Sequence, residues 1–340
     1  MRTLLALVAA LAPALALAQA TYAERPEVQA FIRRLVDQRG FVEAELSQLF
    51  SRVQRVDPVL TAIQQPAEKV LAWPEYRATF LTEERIAAGA AFWRAHGKTL
   101  ERARQKYGVP PEYVVAIIGV ETFYGRNTGR WRVVDALSTL AFDYPPRAAF
   151  FRAELEHFLV FAREAGVDVF SVRGSYAGAM GLPQFMPSSA LSYAVDFDGD
   201  GHIDLRGSPI DAIGSVANFL GQHGWRRGGA VLLPARVSGD AYRPFVAEAL
   251  RLDTTVGELA EAGVRIETKG KPPAAAERAM LIELKALEAP SQFRVGLQNF
   301  HVITSYNRSA YYASAAADLA QALRARHLRS SRAEAQSAGK

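Results

Sequence analysis

Positions 114 to 121 read Val-Val-Ala-Ile-Ile-Gly-Val-Glu, and the last residue limits what the segment can become. Val114, Ile117, Ile118 and Glu121 fall at i, i+3, i+4 and i+7, the spacing of one helix face. Pro110 and Pro111 precede the run and suit a first helical turn. Gly125 suits its end. The spacing therefore predicts a helix whose apolar stripe carries a carboxylate. Such a group is costly unless it is paired, hydrogen-bonded or protonated. Two readings follow. Glu121 pairs with Arg126, Arg130 or Arg132 in a structural ion pair at the edge of the core. Alternatively, apolar surroundings raise its pKa and it works as a general acid near neutral pH.

The surrounding texture is mainly helical. In "ERPEVQAFIRRLVDQRG" the residues Val28, Phe31, Ile32 and Leu35 share one face, and Gly40 is a C-terminal stop. "LTEERIAAGAAFWRAHGKTLERARQKYG" continues as helix with Thr82 as N-cap. "FDYPPRAAFFRAELEHFLVFAREAG" follows a proline turn, with Phe150, Leu155, Phe158 and Phe161 as core. A Gly-rich loop comes next, and "SPIDAIGSVANFLGQHGW" is again helical. From about Ala230 the pattern changes: "AVLLPARV", "RAMLIELKAL" and "SQFRVGL" read as strands between turn-rich stretches. Helical texture returns from Asn299. The fold class is mainly α (α+β). A helical domain spans 21–105 and a helical core 106–229. A small β-containing insertion spans 230–296, the core's return helix 297–325, and a basic tail 326–340 that reads as disordered or as a fraying helix end.

Residues 1–20 stand apart. Arg2, an apolar run and small residues in A-x-A spacing read as a signal peptide cut after Ala18 or Ala20. The chain of 340 residues holds no cysteine, so no disulfide and no lipid-modified cysteine can form. The expectation is a soluble periplasmic protein with no later transmembrane segment. Net charge is +5, which suits an acidic partner such as a cell-wall polymer. Nucleic acid is not expected, as no binding motif is visible.

Two loops carry chemistry. "GSYAGAMGLPQFMPSS" offers Gly174, Gly178 and Gly181, with Gln184 beside Phe185 and Met186. It lacks the spacing and Lys of a phosphate loop. It suits a sugar, which presents hydroxyls at its edge and an apolar face; the alternative is a tight structural turn with a capping glutamine. "DFDGDGHID" places Asp196, Asp198 and Asp200 at i, i+2, i+4, with Gly201 next, as in the start of an EF-hand loop. His202 would give a backbone carbonyl and Asp204 the ninth position. Gly207 stands where a bidentate Glu is usual; Asp211 could close a longer loop. Asp211 also suits the third position of a helix capped by Ser208. Calcium is the expected ion, with sodium or a solvated aspartate turn as alternatives. Other catalytic systems are missing: no G-x-S-x-G, no H-E-x-x-H, and six histidines without ligand spacing.

Taken together, "IIGVETFYG", "GSYAGAMGLPQFMPSS", "DGDGHIDL", "DAIGSVANFL" and "NFHVITSYNRSAYYA" resemble the lytic murein transglycosylase B family, in the family's order, from about residue 25 to 323. The resemblance implies a lysozyme-like helical catalytic core, an all-helical domain and a small β domain. It implies non-hydrolytic cleavage of the β-1,4 bond between N-acetylmuramic acid and N-acetylglucosamine, leaving 1,6-anhydromuramyl ends. Glu121 matches the family's single catalytic acid/base. Tyr76, Ser175, Gln184, Phe185, Tyr306, Asn307 and Tyr312 match positions lining its saccharide cleft. Asp196, Asp198, Asp200, His202 and Asp211 match its calcium loop, although Asp211 falls one residue late. Phe150 and Phe219 replace two family tyrosines. One carboxylate suffices because the muramoyl C6 hydroxyl is the nucleophile, whereas ordinary glycosidases need two. The expected partners are peptidoglycan glycan strands and other cell-wall enzymes, met by a monomer without an organic cofactor. The alternatives are a hydrolytic muramidase using Asp143 or Glu154 as second carboxylate, and a non-enzymatic peptidoglycan-binding scaffold.

Overall fold

The computed structural model describes residues 21–64, 71–247, 249–268 and 270–338. The export segment inferred for residues 1–20 lies outside them. Two compact units are present, one ending at Gln54 and the other beginning at Arg55.

In the first unit, helix α1 (Pro26–Arg39) begins on a proline and ends at Gly40, whose φ of 65° lets its N–H turn back to the Val36 carbonyl. Val28, Phe31, Ile32 and Leu35 are buried, as their spacing predicts. Helix α2 (Glu43–Arg52) adds Leu46 and Phe50. The Phe50 ring meets Phe31 edge-on at 6.0 Å. Helices this short are marginal alone in water, so the shared apolar stripe holds the pair together.

The second unit begins with α3 (Asp57–Ala62), α4 (Trp73–Phe80), α5 (Glu83–Ala95) and α6 (Gly97–Tyr107), which lead to α7 (Pro111–Thr122). The Thr82 hydroxyl caps α5 by accepting the Arg85 N–H at 3.2 Å. The sequence places α3 to α6 in one domain with α1 and α2, but they belong to the second unit. The reason is packing: α5 lies on α7, and both α4 and α5 lie on the C-terminal helix α14 (Ala310–Ala338). Helix α7 also differs from its predicted one-sided stripe. Val114, Val115, Ala116 and Ile118 are all 0 % exposed, so the helix is buried on every side. Its polar residue sits where the helix leaves the core.

Around α7 stand α8 (Val133–Asp143), α9 (Ala148–Glu164), α10 (Pro187–Tyr193) and α11 (Pro209–Gln222), with strands β1 (Trp131–Arg132) and β2 (Arg173–Gly174) paired antiparallel. On α9 the core face is Phe151, Leu155, Phe158, Leu159 and Ala162. Phe150, expected in the core, is instead 40 % exposed and lies against Phe151 and the Arg147 guanidinium. It sits one residue, about 100° of helix, away from the buried stripe.

The β-containing insertion forms a five-stranded antiparallel sheet from β3 (Leu232–Val237), β4 (Thr254–Thr255), β5 (Val264–Ile266), β6 (Arg278–Leu284) and β7 (Gln292–Gly296). Its order is β4-β6-β7-β3-β5. Leu281 and Leu233 both oppose Val295 across the ladder, and helix α12 (Val256–Glu261) closes the small core through Leu259. The sequence texture shows β3, β6 and β7; β4 and β5 are too short to leave an alternating pattern.

Helix α13 (Gln298–Tyr306) returns to the core and α14 follows. Of the two readings of the tail from residue 326, helix end or disorder, the helix is found, continuing through Ala338. Alanine, arginine and glutamine favour helix, and no proline or glycine interrupts residues 310–338. Early turns of this stretch are anchored too: the His327 ring stacks on Trp93 at 4.4 Å. Among the described residues, no helix is long and apolar enough to cross a membrane.

Candidate active site and acidic loop

Glu121 occupies the last turn of α7 and is partly exposed. Beyond it the backbone turns sharply: Phe123, Tyr124 and Gly125 have φ of 51°, 60° and 92°. The Phe123 and Tyr124 N–H groups bond the Gly119 and Ile118 carbonyls, which ends the helix two residues before the predicted Gly125. Two consecutive non-glycine residues in the left-handed region are uncommon and need support from their surroundings. The support comes from Thr122 and Tyr124. The Thr122 hydroxyl lies 3.1 Å from the Ile118 carbonyl and 3.2 Å from that of Leu182, and accepts the Gly125 N–H at 3.0 Å. The Tyr124 ring fills the space that a side chain at Gly89 or Gly119 would need. Sequence reasoning missed both residues. Their only signal is adjacency to the glutamate.

The three arginines offered as partners for Glu121 are engaged elsewhere. Arg126 pairs with Glu84 at 2.7 Å, Arg132 with Asp135 at 2.6 Å, and the Arg130 guanidinium lies over the Trp131 ring. The Tyr312 hydroxyl, by contrast, donates to Glu121 Oε1 at 2.6 Å. Burial pushes the Tyr312 phenol well above its ordinary pKa, and the nearby Glu121 charge adds to the rise. The tyrosine is therefore a permanent donor near neutral pH.

Several expected cleft residues gather around this pair. The Tyr306 ring lies 6.5 Å from Tyr312 in near-parallel planes and 5.8 Å from Phe185, and its hydroxyl donates to the Pro183 carbonyl at 2.6 Å. Phe219 stands 4.8 Å from Tyr306 and stacks on His223, and its phenyl ring is buried. Tyr76 is buried on α4 against Tyr311, and Asn307 ends α13 next to Tyr306.

The Gly-rich loop is knitted to itself. Met180 and Phe185 exchange backbone hydrogen bonds at 2.8 and 3.1 Å. The Ser175 hydroxyl accepts the Ala177 and Ala179 N–H groups. Gln184, at φ 49°, donates through Nε2 to the Thr128 and Gly181 carbonyls. Gly181 lets the chain pass close to the Leu205 carbonyl. The glycines thus serve close approach within the protein, and the loop buries Phe185 against Phe219 and Tyr306.

In the acidic loop, Asp196, Asp198 and Asp211 bring carboxylate oxygens within 4.8 Å of one another. Asp200 does not join them; its carboxylate accepts the His202 N–H at 2.8 Å. Asp211 is 1 % exposed and accepts N–H groups from Phe197, Asp198 and Asp204. Burial raises its pKa, while the Gly201 N–H holds that of Asp196 down. The Ser208 hydroxyl accepts the Asp211 N–H at 3.2 Å and donates to Asp198 at 2.9 Å, so Asp211's helix-cap and loop roles coexist.

A buried helical core that sets a glutamate beside aromatic rings suits a lysozyme-like enzyme acting on glycans. The chain belongs to the lytic murein transglycosylases: the family model described as "Transglycosylase SLT domain" matches residues 23–321. Membrane-bound lytic murein transglycosylase B of Escherichia coli (strain K12) is 42% identical over 311 residues, spanning 89% of this chain and 84% of its own. The crystal structure of soluble lytic transglycosylase SltB1 from Pseudomonas aeruginosa superposes with a TM-score of 0.82 at 48% identity, covering 88% of this chain and 99% of that one. An Escherichia coli lytic transglycosylase structure in complex with calcium gives 0.81 at 41% identity, over 90% and 95% of the two chains. SltB3 from Pseudomonas aeruginosa, in complex with NAG-NAM-pentapeptide, gives 0.74 at 30% identity, over 88% and 79%. The protein is an enzyme acting on peptidoglycan, and its core has the lysozyme-like fold.

Proposed function

We propose that Glu121 is the sole acid/base of this transglycosylase. The observation that carries the proposal is the Tyr312 hydroxyl held 2.6 Å from the Glu121 carboxyl. Protonated Glu121 gives its proton to the glycosidic oxygen as the bond from muramoyl C1 breaks. The muramoyl C6 hydroxyl attacks C1, and its proton passes to the Glu121 carboxylate. Glu121 ends as it began, and no water is consumed. Tyr312 keeps the carboxyl oriented through both transfers. Tyr76, Tyr306, Phe185 and Asn307 supply walls for the saccharide, while Ser175 and Gln184 hold the loop that carries Phe185.

A hydrolytic reading needs a second carboxylate to activate water or to attack. The two candidates are otherwise employed. Asp143 lies 3.7 Å from Arg55. Glu154 is 5 % exposed and accepts both the N–H and the hydroxyl of Ser188 at the start of α10. Mass spectrometry of fragments released from purified peptidoglycan tests the reading. Anhydromuramyl ends, each one water lighter than a reducing end, are expected; reducing muramoyl ends as the primary product would refute it.

Asp196, Asp198 and Asp211 suit a hard divalent cation, since they offer clustered carboxylate oxygens. Calcium held there would neutralise the acids and brace the loop against α11. The backbone carbonyl of His202 belongs to the same loop and would add to the shell, while the Asp200 carboxylate stays on the His202 N–H. The protein works in the periplasm on glycan strands, released from the membrane by cleavage after Ala18 or Ala20.

A further inference from the structure

Thr122 follows Glu121 on α7 and is 1 % exposed. A threonine late in a helix ordinarily donates to the carbonyl four residues back, and that of Ile118 stands 3.1 Å away. The Ile118 carbonyl, however, already receives the Tyr124 N–H at 3.3 Å. A hydroxyl has a single proton to give. The second acceptor in reach is the Leu182 carbonyl of the Gly-rich loop, at 3.2 Å. Leu182 is 4 % exposed, and no other donor reaches its carbonyl among the described residues. A buried carbonyl without a donor is costly, so the proton goes to Leu182. The hydroxyl oxygen still accepts the Gly125 N–H at 3.0 Å. One side chain thus joins the end of the Glu121 helix, the turn beyond it and a loop 60 residues away.

The loop end of this brace is itself anchored. Leu182 donates its N–H to the Leu205 carbonyl at 2.8 Å, and Leu205 is buried. Asp204, the residue before it, donates to Asp211 in the first turn of α11 at 2.9 Å. Pro183, the residue after Leu182, accepts the Tyr306 hydroxyl at 2.6 Å, and the Tyr306 ring lies beside that of Tyr312, the donor to Glu121. Two hydroxyls therefore grip Leu182 and Pro183, one from the residue next to Glu121 and one from the ring next to its donor. The Glu121 carboxyl and the loop are locked in one register. Misplacing a reacting group by an ångström costs on the order of a hundredfold in rate.

We propose that Thr122 is a positioning residue for the transglycosylase reaction: its hydroxyl, given to the Leu182 carbonyl, sets where the Glu121 carboxyl stands against the Gly-rich loop. The proposal rests on the reading of Glu121 as the acid/base. A side chain this buried acts on the reaction through Glu121, so its loss lowers turnover rather than saccharide affinity.

The test measures kcat and KM on solubilised glycan strands, well below the melting temperature of each variant. Thr122→Val keeps the branched shape and removes the hydroxyl, whereas Thr122→Ser keeps the hydroxyl. Thr122→Val is expected to lose about tenfold in kcat, the scale of one hydrogen bond, with KM within about twofold of the wild type. Thr122→Ser is expected to recover kcat to within about threefold. Thr122→Ala supplies the same comparison if Thr122→Val does not fold. Wild-type kcat in a folded variant without the hydroxyl overturns the proposal and leaves Thr122 as a structural end to α7. So does equal loss in Thr122→Ser and Thr122→Val, because packing and not the hydroxyl would then be responsible. So does a change confined to KM. Failure of the Glu121 reading shows on a different variant, as turnover retained by Glu121→Gln.

Discussion

Tyr312 on α14 donates a 2.6 Å hydrogen bond to Glu121 on α7, residues 191 positions apart in the chain. The bond couples the return helix to the carboxyl proposed as the acid/base. Losing a hydrogen bond to a charged group costs about 1.5–3 kcal/mol. Tyr312→Phe keeps the ring and removes only the donor, so kcat should fall roughly 10- to 100-fold with the fold intact. Steady-state turnover of peptidoglycan measures this; an unchanged kcat would make the contact incidental.

The same tyrosine gives the protein an alkaline sensitivity. Burial, then the Glu121 charge, raises its folded-state pKa above that of the unfolded chain. The folded protein thus holds this proton more tightly. The contribution is complete below the ordinary phenol value of about 10 and is lost as pH rises above it. Melting temperature against pH should fall less steeply above about 10 in Tyr312→Phe than in the wild type. Parallel curves would place the sensitivity elsewhere.

The turn after Glu121 depends on a tight fit. A methyl group at Gly119 would stand 2.5 Å from the Tyr124 hydroxyl oxygen and 2.6 Å from its ring. Gly119→Ala is expected to cost about 1–3 kcal/mol in denaturant unfolding, as overpacking does. The Tyr124 hydroxyl itself is buried with no hydrogen-bond partner among the described residues. Tyr124→Phe should then be neutral or stabilising, since it removes an unsatisfied polar group. A large destabilisation by Tyr124→Phe would mean the hydroxyl has a partner in solution.

The acidic loop should respond to calcium. A ligand that binds only the folded state stabilises by about 2.7 kcal/mol at a hundredfold excess over its Kd. Melting in excess calcium and in chelator should differ for the wild type, and the difference should vanish in Asp198→Asn. Identical melting in the two conditions would leave Asp196, Asp198 and Asp211 as a hydrogen-bonded turn.

Legibility in the sequence followed the range of the forces involved. Periodicity exposed α1 because Val28, Phe31, Ile32 and Leu35 bury a single face. It misdescribed α7, because a helix buried on all sides carries no stripe to read. The cap at Thr82 and the proline starts were local and visible. Phe150 was misplaced by one position, since an aromatic beside the buried stripe looks like part of it. The tail stayed open between helix end and disorder because its composition fits both. At the site, Glu121 was visible as a carboxylate in an apolar run. Its contact with Tyr312 was not, because nothing local links residues on α7 and α14. Likewise, the aspartate spacing marked the loop, but only the fold separates Asp198, which faces Asp211, from Asp200, which turns to His202.

The central claim is that one carboxylate does all the proton transfer. Glu121→Gln is nearly isosteric and cannot exchange the proton. Turnover of purified peptidoglycan by this variant should fall by at least the 10²–10⁴-fold typical of lost general acid–base catalysis, while sedimentation with insoluble peptidoglycan is retained. Glu154→Gln and Asp143→Asn, measured alongside, should not approach that loss in kcat. Near-wild-type turnover by Glu121→Gln, or an equal collapse of kcat in Glu154→Gln with its fold intact, would contradict the account.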